Sequence, residues 1–268
     1  MNRPNQWRVV GGIMPPLAFG MIVVAVLASL FPPLHFTQLG ETLWIKETCF
    51  ALRLSLVSAV VSTFIAVVWG TQAGYVLARK HIPGKAFLDM VLDIPMVIPP
   101  LITGMGLLFL FGNNGLGNRL THMGVDILFT PLGILTAQTF IAMPIMIRSS
   151  RAVFETVDER YEKAALTLGR HPVNIFFTIT LPLAGKGLLA GAVLALARVL
   201  GEFGATLMIA GATRMKTETL PIAVYLNISS GEIGTALACA WILLAMGISL
   251  LIVLKVVDRF FSFAHEET

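Results

Sequence analysis

Long apolar runs separated by short polar stretches fill most of the chain. Six runs approach or exceed the roughly 20 residues that a helix needs to cross the hydrocarbon core of a bilayer: residues 13–31, 54–78, 94–111, 131–147, 187–211 and 234–254. The first run follows Arg3 and Arg8, and no small-x-small cleavage site comes after it. We interpret it as a span, with a signal anchor as the alternative. The pattern predicts an all-α polytopic membrane protein with six transmembrane helices.

Prolines interrupt the start of the third run. Pro95, Pro99 and Pro100 lie there. Because prolines free backbone groups that lipid cannot satisfy, this break should face protein or a cavity. A simple kink is the alternative. The glycine-rich loop that follows, residues 111–117, is a poor phosphate cradle, since no strand precedes it and no Lys-Ser or Lys-Thr follows it.

The fifth run contains two charged side chains, Arg198 and Glu202. Their spacing places them on one face of a helix, close enough to pair. Charges within a span usually face a bundle interior or water. With Gly201, Gly204 and Thr206 they are candidates for a translocation pathway or gate. The alternative is a structural ion pair that fixes helix packing, and we favour it over direct contact with a substrate.

The longest polar stretch in the centre of the chain begins near Arg148 and ends near Pro182. Ala164, Ala165 and Leu168 recur close to helical spacing, and Gly169 follows them. Glycine is typical just beyond a helix C-terminus. The stretch predicts a short amphipathic helix outside the lipid. Either water solvates it or a partner protein docks on it, and the pattern leaves both open.

Composition agrees with a membrane protein. The chain has 268 residues, of which 56% are hydrophobic and 13% charged, with a mean hydropathy of +0.82. Soluble domains average about 25% charged residues. The net charge of +4 therefore reflects the cytoplasmic bias of Lys and Arg in membrane proteins and does not indicate nucleic acid.

The distribution of basic residues predicts the orientation. If the N-terminus is cytoplasmic, thirteen basic residues fall in inner segments: Arg3, Arg8, Arg79, Lys80, Lys85, Arg148, Arg151, Arg160, Lys163, Arg170, Lys186, Lys255 and Arg259. Only four fall in outer segments: Lys46, Arg119, Arg214 and Lys216. This imbalance predicts that both termini and the central polar stretch are cytoplasmic.

The sequence lacks the signatures of several classes of function. Neither Gly84-Lys85 nor Gly185-Lys186 is followed by the hydroxyl residue of an ATP-binding P-loop. No His-Glu-x-x-His, paired Asp or Ser/His arrangement lies within a run. The two cysteines do not form a disulfide framework, and the five histidines show no metal-ligand spacing. We therefore predict no catalytic residues and no bound metal.

The polar stretch also contains a recognisable spacing. Ala164-Ala165, three residues, Gly169, nine residues and then Ile179-x-Leu181-Pro182 resemble the cytoplasmic loop of ABC importer permeases. The resemblance implies a type I permease fold whose coupling helix docks on an ATP-hydrolysing subunit. On these positions it implies docking by Glu162, Ala164, Ala165, Leu168 and Gly169, with Ile179, Leu181 and Pro182 completing the loop. The family's Glu immediately before the alanines is Lys163 here, and Glu162 precedes it.

Two further segments resemble one branch of this family. Residues 197–206 and 217–225 are similar to signatures of molybdate, tungstate and sulfate permeases. The resemblance covers residues 50–257, with the coupling loop at about 151–186. Residues 1–49 hold the first span and an outer loop, and residues 258–268 form a short cytoplasmic tail. The short chain and its form of Ala-Arg-Val-Leu-Gly-Glu favour molybdate, with sulfate or tungstate as alternatives.

The resemblance also implies the partners. They are ATPase subunits at the coupling loop, a periplasmic or lipid-anchored oxyanion-binding protein, and a second permease, as a homodimer. The chain itself would bind no cofactor, would not be an enzyme, and would lie in the cytoplasmic (inner) membrane of a bacterium or archaeon. An ion-coupled secondary transporter is the alternative of another class. It predicts broken helices in two repeated halves, and the sequence shows no internal repeat.

Overall fold

The computed structural model describes residues 6–30, 45–112 and 115–266. Within these ranges the regular secondary structure is entirely helical, and the predicted all-α class is confirmed. Residues 31–44, which hold most of the predicted outer loop, lie outside the described residues. The last helix continues to Glu266, so most of the predicted tail, 258–268, extends that helix.

The helices follow one another with short connections. In chain order they are α1 (Gln6–Ser29), α2 (Lys46–Arg79), α3 (Lys85–Val97), α4 (Pro100–Leu110), α5 (Gly117–His122), α6 (Pro131–Thr156), α7 (Glu159–Thr167), α8 (Pro172–Ile175), α9 (Leu181–Leu200), α10 (Gly204–Ala210), α11 (Leu220–Ser229) and α12 (Ile233–Glu266). A π-helical turn, Phe176–Thr180, joins α8 to α9, so Pro172–Leu200 is one continuous helix.

Four of the described helices are long and apolar enough to cross a membrane: Lys46–Arg79, Pro131–Thr156, Pro172–Leu200 and Ile233–Val256. The pair α3 and α4 makes a fifth candidate, bent by 110°. The described apolar part of α1, Met14–Ser29, is shorter than a full span. Length and composition therefore give four or five spans among the described residues, and the predicted number of six stays a prediction.

The proline break predicted at the start of the third run, residues 94–111, is confirmed. Helix α3 begins earlier, at Lys85, and ends at Val97, and α4 begins at Pro100. Ile98 and Pro99 each precede a proline and both are extended, with ψ of 133° and 136°. The ring of a following proline disfavours the α conformation, so two successive prolines impose the break.

The fifth predicted span, residues 187–211, is also divided. The long helix ends at Leu200, and α10 begins at Gly204 after a turn through Gly201. Glycine weakens a helix interior by about 1 kcal/mol. Arg198 and Glu202 therefore lie at the junction of two helices and not in the middle of one.

Helices α2 and α6 pack closely against each other. The buried face of α2 consists almost entirely of small residues: Thr48, Ala51, Ser55, Ser58, Ala59, Ser62, Thr63, Ala66, Gly70, Thr71 and Gly74. A Cβ atom at Gly74 would lie 2.5 Å from the Cβ of Ser150, and one at Gly70 would lie 2.8 Å from the Cβ of Met146. Small residues let helix backbones approach in a bilayer, where packing drives association.

The two breaks pack against each other. A Cβ atom at Gly104 of α4 would lie 2.7 Å from the Cα of Ala205 in α10. One at Gly204 would lie 3.2 Å from the Cβ of Pro100. At Pro100, therefore, the proline-rich break faces protein, as its sequence predicts. The first turns that follow the two breaks therefore pack against each other.

Ion pairs attach α3 to α6. Asp89 accepts from Arg151 at 2.8 Å, and Asp93 accepts from Arg148 at 3.0 Å. No residue of α3 is buried. Charged side chains are therefore a main link between this helix and the rest of the described chain.

The contact between α4 and α10 predicts different effects on stability for two alanine substitutions in one helix. Gly104→Ala should lower the free energy of unfolding by about 1–3 kcal/mol, because its methyl group meets backbone atoms of α10. Gly106→Ala meets nothing within 4 Å and should be neutral or stabilising, because alanine favours helix. Thermal unfolding of both variants in the same detergent measures the difference, and equal midpoints would contradict this packing.

Candidate functional site

Helix α7 lies outside the membrane-spanning helices and has well-defined ends. At its start, Oδ1 of Asp158 accepts from the backbone N–H of Arg160 at 2.9 Å. At its end, Gly169 has φ of +80°. The N–H groups of Gly169 and Arg170 donate to the carbonyls of Leu166 and Ala165 at 3.0 and 3.1 Å. This is the double closure typical of a glycine C-cap, and the predicted helix stop at Gly169 is confirmed.

The two faces of α7 differ in what they contact. Leu168 is 84% exposed and Tyr161 58%, and Ala164 and Gly169 are exposed as well. Ala165, in contrast, is only 6% exposed. Among the predicted docking residues, Ala164, Leu168 and Gly169 are thus accessible to a partner, whereas Ala165 packs against this chain.

Glu162 also faces this chain. Its Oε1 accepts from Nε of Arg79 at 3.0 Å and from Oγ1 of Thr180 at 3.1 Å. Its Oε2 accepts from the hydroxyl of Tyr75 at 3.0 Å. The side chains of Arg79 and Glu162 are 8% and 14% exposed. Glu162 therefore connects α7 to the end of α2 and to the π turn.

Sequence reasoning missed Tyr75, Arg79 and Thr180 as members of this cluster. In the sequence, Arg79 was considered only as one of the basic residues that predict the orientation. A tyrosine one turn before that arginine was the signal in the sequence, since a buried tyrosine hydroxyl usually finds a polar partner. The pairing with Glu162 has no local signature, because Tyr75 and Arg79 lie 87 and 83 residues away along the chain.

The second half of the predicted loop motif lies in the π turn and at the start of α9. Ile179 belongs to the π turn, and Leu181 and Pro182 begin α9. Leu181 packs on the core cluster that contains the buried ring of Phe154. The rings of Tyr75 and Phe176 lie 4.8 Å apart between centroids and meet edge to face. Leu181 thus belongs to the core next to the π turn, whereas Ile179 is half-buried and Pro182 is exposed.

Lys163 occupies the place of the family's glutamate and is exposed. Its Nζ lies 2.8 Å from Oε2 of Glu159, one turn earlier. This hydrogen bond and the charge of Lys163 lower the pKa of the Glu159 carboxyl. Lys163 therefore pairs on the outer surface of α7, while Glu162 makes the inward contacts.

Arg198 and Glu202 pair as predicted. Nη1 of Arg198 lies 2.8 Å from Oε2 of Glu202, whose side chain is 1% exposed. Oε1 of Glu202 accepts from the backbone N–H of Ala205 at 2.9 Å, in the first turn of α10. A carboxylate at a helix N-terminus is stabilised by the free N–H groups and the helix dipole. This geometry supports the structural alternative, because Glu202 holds the junction of α9 and α10.

The other candidates for a pathway or gate surround the same junction. Gly201 ends α9, and Gly204 packs on α4. Thr206 is fully buried, and its hydroxyl has no hydrogen-bond partner among the described residues. Nothing in these contacts assigns a substrate to them.

A second buried carboxylate lies between α10 and α11. Thr217, Glu218 and Thr219 are at most 1% exposed, and Oε2 of Glu218 accepts from the backbone N–H of Met215 at 3.0 Å. The next residue, Leu220, donates its N–H to Oγ of Ser55 at 2.7 Å. This signature segment thus fixes α11 to α2. Within the described ranges, no group of three His, Cys, Asp or Glu side chains is placed to hold a metal ion.

Solved structures share this arrangement of helices. A bacterial alginate ABC transporter, in complex with its alginate-bound periplasmic protein, contains a chain that superposes with a TM-score of 0.77 at 12% identity, over 95% of each chain. A chain of the MetNI methionine ABC transporter superposes with a TM-score of 0.62 at 18% identity, over 81% of this chain and 95% of that one. The fold is that of a type I ABC importer permease.

The sequence relatives place the chain more narrowly. Residues 66–263 match the family of inner membrane components of binding-protein-dependent transport systems, and the chain belongs to this family. It is a multi-pass protein of the cytoplasmic membrane, as predicted, and a component of a transporter.

Curated members of the oxyanion branch are similar over most of their length. The molybdenum transport permease ModB of Mycobacterium tuberculosis is 38% identical over 91% of this chain and 92% of its own. ModB of Escherichia coli K12 is 40% identical over 75% of this chain and 90% of its own. The sulfate transport permease CysW of a Synechocystis strain is 34% identical over 78% of this chain and 76% of its own. The predicted resemblance to this branch is confirmed.

The pairing of Arg198 with Glu202 predicts a measurable coupling. In a double-mutant cycle with Arg198→Ala and Glu202→Gln, the interaction should contribute about 1.5–3 kcal/mol, the range for hydrogen bonds to charged groups. Arg198→Ala should be the more damaging single change, because it leaves a buried carboxylate without its cation. Thermal unfolding of the four proteins measures this, and additive effects would contradict the pairing.

Proposed function

We propose that this chain is the permease subunit of an ATP-driven importer of molybdate. The observation that carries the proposal is sequence similarity: molybdenum permeases of three genera are 37–40% identical to it, against 30–34% for sulfate permeases. Sulfate and tungstate remain the alternative substrates, because the 197–206 signature is common to the oxyanion permeases.

In this proposal, ATP hydrolysis belongs to a separate subunit that docks on the exposed face of α7. The chain binds no cofactor of its own, and the nucleotide stays with the partner. A second copy of the chain completes the pathway, and a periplasmic or lipid-anchored binding protein delivers the anion. Both termini and α7 face the cytoplasm, and the basic residues support this orientation. Membership of a binding-protein-dependent family favours this mechanism over an ion-coupled secondary transporter.

Uptake of labelled molybdate tests the substrate. The chain is reconstituted in liposomes with its ATPase and binding protein, and tungstate and sulfate are added as competitors. We expect uptake that requires ATP and that excess sulfate does not suppress. Equal competition by sulfate would exclude molybdate as the preferred anion, and uptake without the ATPase would support the ion-coupled alternative.

Leu168→Asp tests docking on α7. Because Leu168 is exposed, a carboxylate in its place should leave the fold intact. An unpaired charge is costly at an interface, so most of the ATPase should no longer co-purify and uptake should fall at least tenfold. Met123→Asp is the matched control, since Met123 is 78% exposed and precedes α6, at the opposite end of that helix from α7. Normal docking by Leu168→Asp, or equal losses in both variants, would count against α7 as the docking surface.

A further inference from the structure

We propose that Glu162 is a positioning residue for energy coupling, and that it does not belong to the surface that contacts the ATPase. Through Tyr75, Arg79 and Thr180 it makes α7 move as one body with the ends of the membrane-spanning helices. The inference rests on the proposed role of α7 in docking. It assigns to Glu162 a step that follows docking, namely the transfer of movement into the membrane core.

The exposure of α7 supports this distinction. Glu162 is the carboxylate of α7 that is turned inward, with 14% of its side chain exposed, and each of its two oxygens has a partner within the chain. Glu159 in the same helix is 49% exposed and pairs only with Lys163 among the described ion pairs. A docking protein can bind Glu159 without breaking a contact to another helix, whereas both oxygens of Glu162 are already hydrogen-bonded to Tyr75, Arg79 and Thr180.

The attachment of α7 depends on these polar contacts because little else holds the helix. It has nine residues, of which only Ala165 is buried. An isolated helix shorter than about 12 residues is marginal in water, and one buried methyl group adds little. Hydrogen bonds to a charged group that is shielded from water are stronger than neutral ones. The carboxylate of Glu162 therefore contributes a large share of what keeps α7 in place.

The same cluster also contacts α6 and the π turn. Arg79 also donates from Nη2 to the carbonyl of Val157, between α6 and α7, at 2.7 Å. The ring of Tyr75 lies 5.4 Å from that of Phe154 in α6 and 4.8 Å from that of Phe176 in the π turn. One end of Tyr75 thus packs in the core and the other donates to α7. Displacement of α7 would pull on α2, α6 and the π turn together.

Glu162→Gln tests the proposal, with Glu159→Gln as the matched control in the same helix. The first measurement is hydrogen exchange of the α7 amides in the full-length permease in lipid nanodiscs, without the ATPase. We expect exchange to be at least tenfold faster in Glu162→Gln and unchanged in Glu159→Gln. Wild-type exchange in Glu162→Gln would overturn the proposal, and this result does not depend on which substrate is transported.

The second measurement is the number of ATP molecules hydrolysed per anion imported by the reconstituted complex. Glu162→Gln should co-purify with the ATPase and hydrolyse ATP, but the ratio of ATP to anion should rise at least threefold. General misfolding would lower hydrolysis and uptake together and leave this ratio unchanged. An unchanged ratio, or loss of co-purification comparable with Leu168→Asp, would overturn the positioning role.

Tyr75→Phe and Thr180→Val each remove one hydrogen bond and keep the charge pair with Arg79. Each should give a smaller rise in the ratio than Glu162→Gln, with normal co-purification. If both variants behave as wild type while Glu162→Gln fails to dock, Glu162 belongs to the docking surface instead. A wild-type complex that needs no ATP for uptake would refute the proposed function, whereas the exchange measurement would still decide whether Glu162 holds α7.

Discussion

Close approach of helix backbones is the constraint on which this structure depends. Lipid offers helices no hydrophobic reason to associate, so packing and polar contacts must hold them together. Along α2 the buried face consists almost entirely of small side chains, and at Gly70 and Gly74 there is no room even for a methyl group. The α2–α6 seam therefore fixes the pair of helices whose ends support α7.

The same constraint explains how the chain tolerates two broken spans. Irregular backbone is costly within a membrane unless it is covered by protein. The break before α4 and the break before α10 are placed against each other, with Gly104 and Gly204 allowing the contact. Glu202 then satisfies an N–H group at the start of α10 and pairs with Arg198. A charge that looked suited to a transport pathway thus has a structural use that accounts for both of its oxygens.

The permease fold gives α7 its significance. A nine-residue helix with one buried side chain has little stability of its own, yet it is held by a charged cluster at the junction of α2, α6 and the π turn. Its outer face presents Tyr161 and Leu168 to a partner, and its inner face presents Glu162 to the core. Binding and transmission of movement can therefore be altered separately, by changes on opposite faces of one short helix.

The sequence by itself determined the features that depend on near neighbours in the chain. Apolar runs predicted helices, Gly169 predicted a helix end, and the spacing of Arg198 and Glu202 predicted their contact. The loop motif and the 197–206 segment indicated the family. Tertiary structure decided which face of each helix packs against the rest of the chain and which face is exposed. Glu162 joins partners up to 87 residues away, and a glutamate two positions before a pair of alanines is equally compatible with an outward or an inward face. The prolines before α4 imposed one break locally, whereas the division of the other apolar run at Gly201 also required the fold, since a glycine permits a break without imposing it.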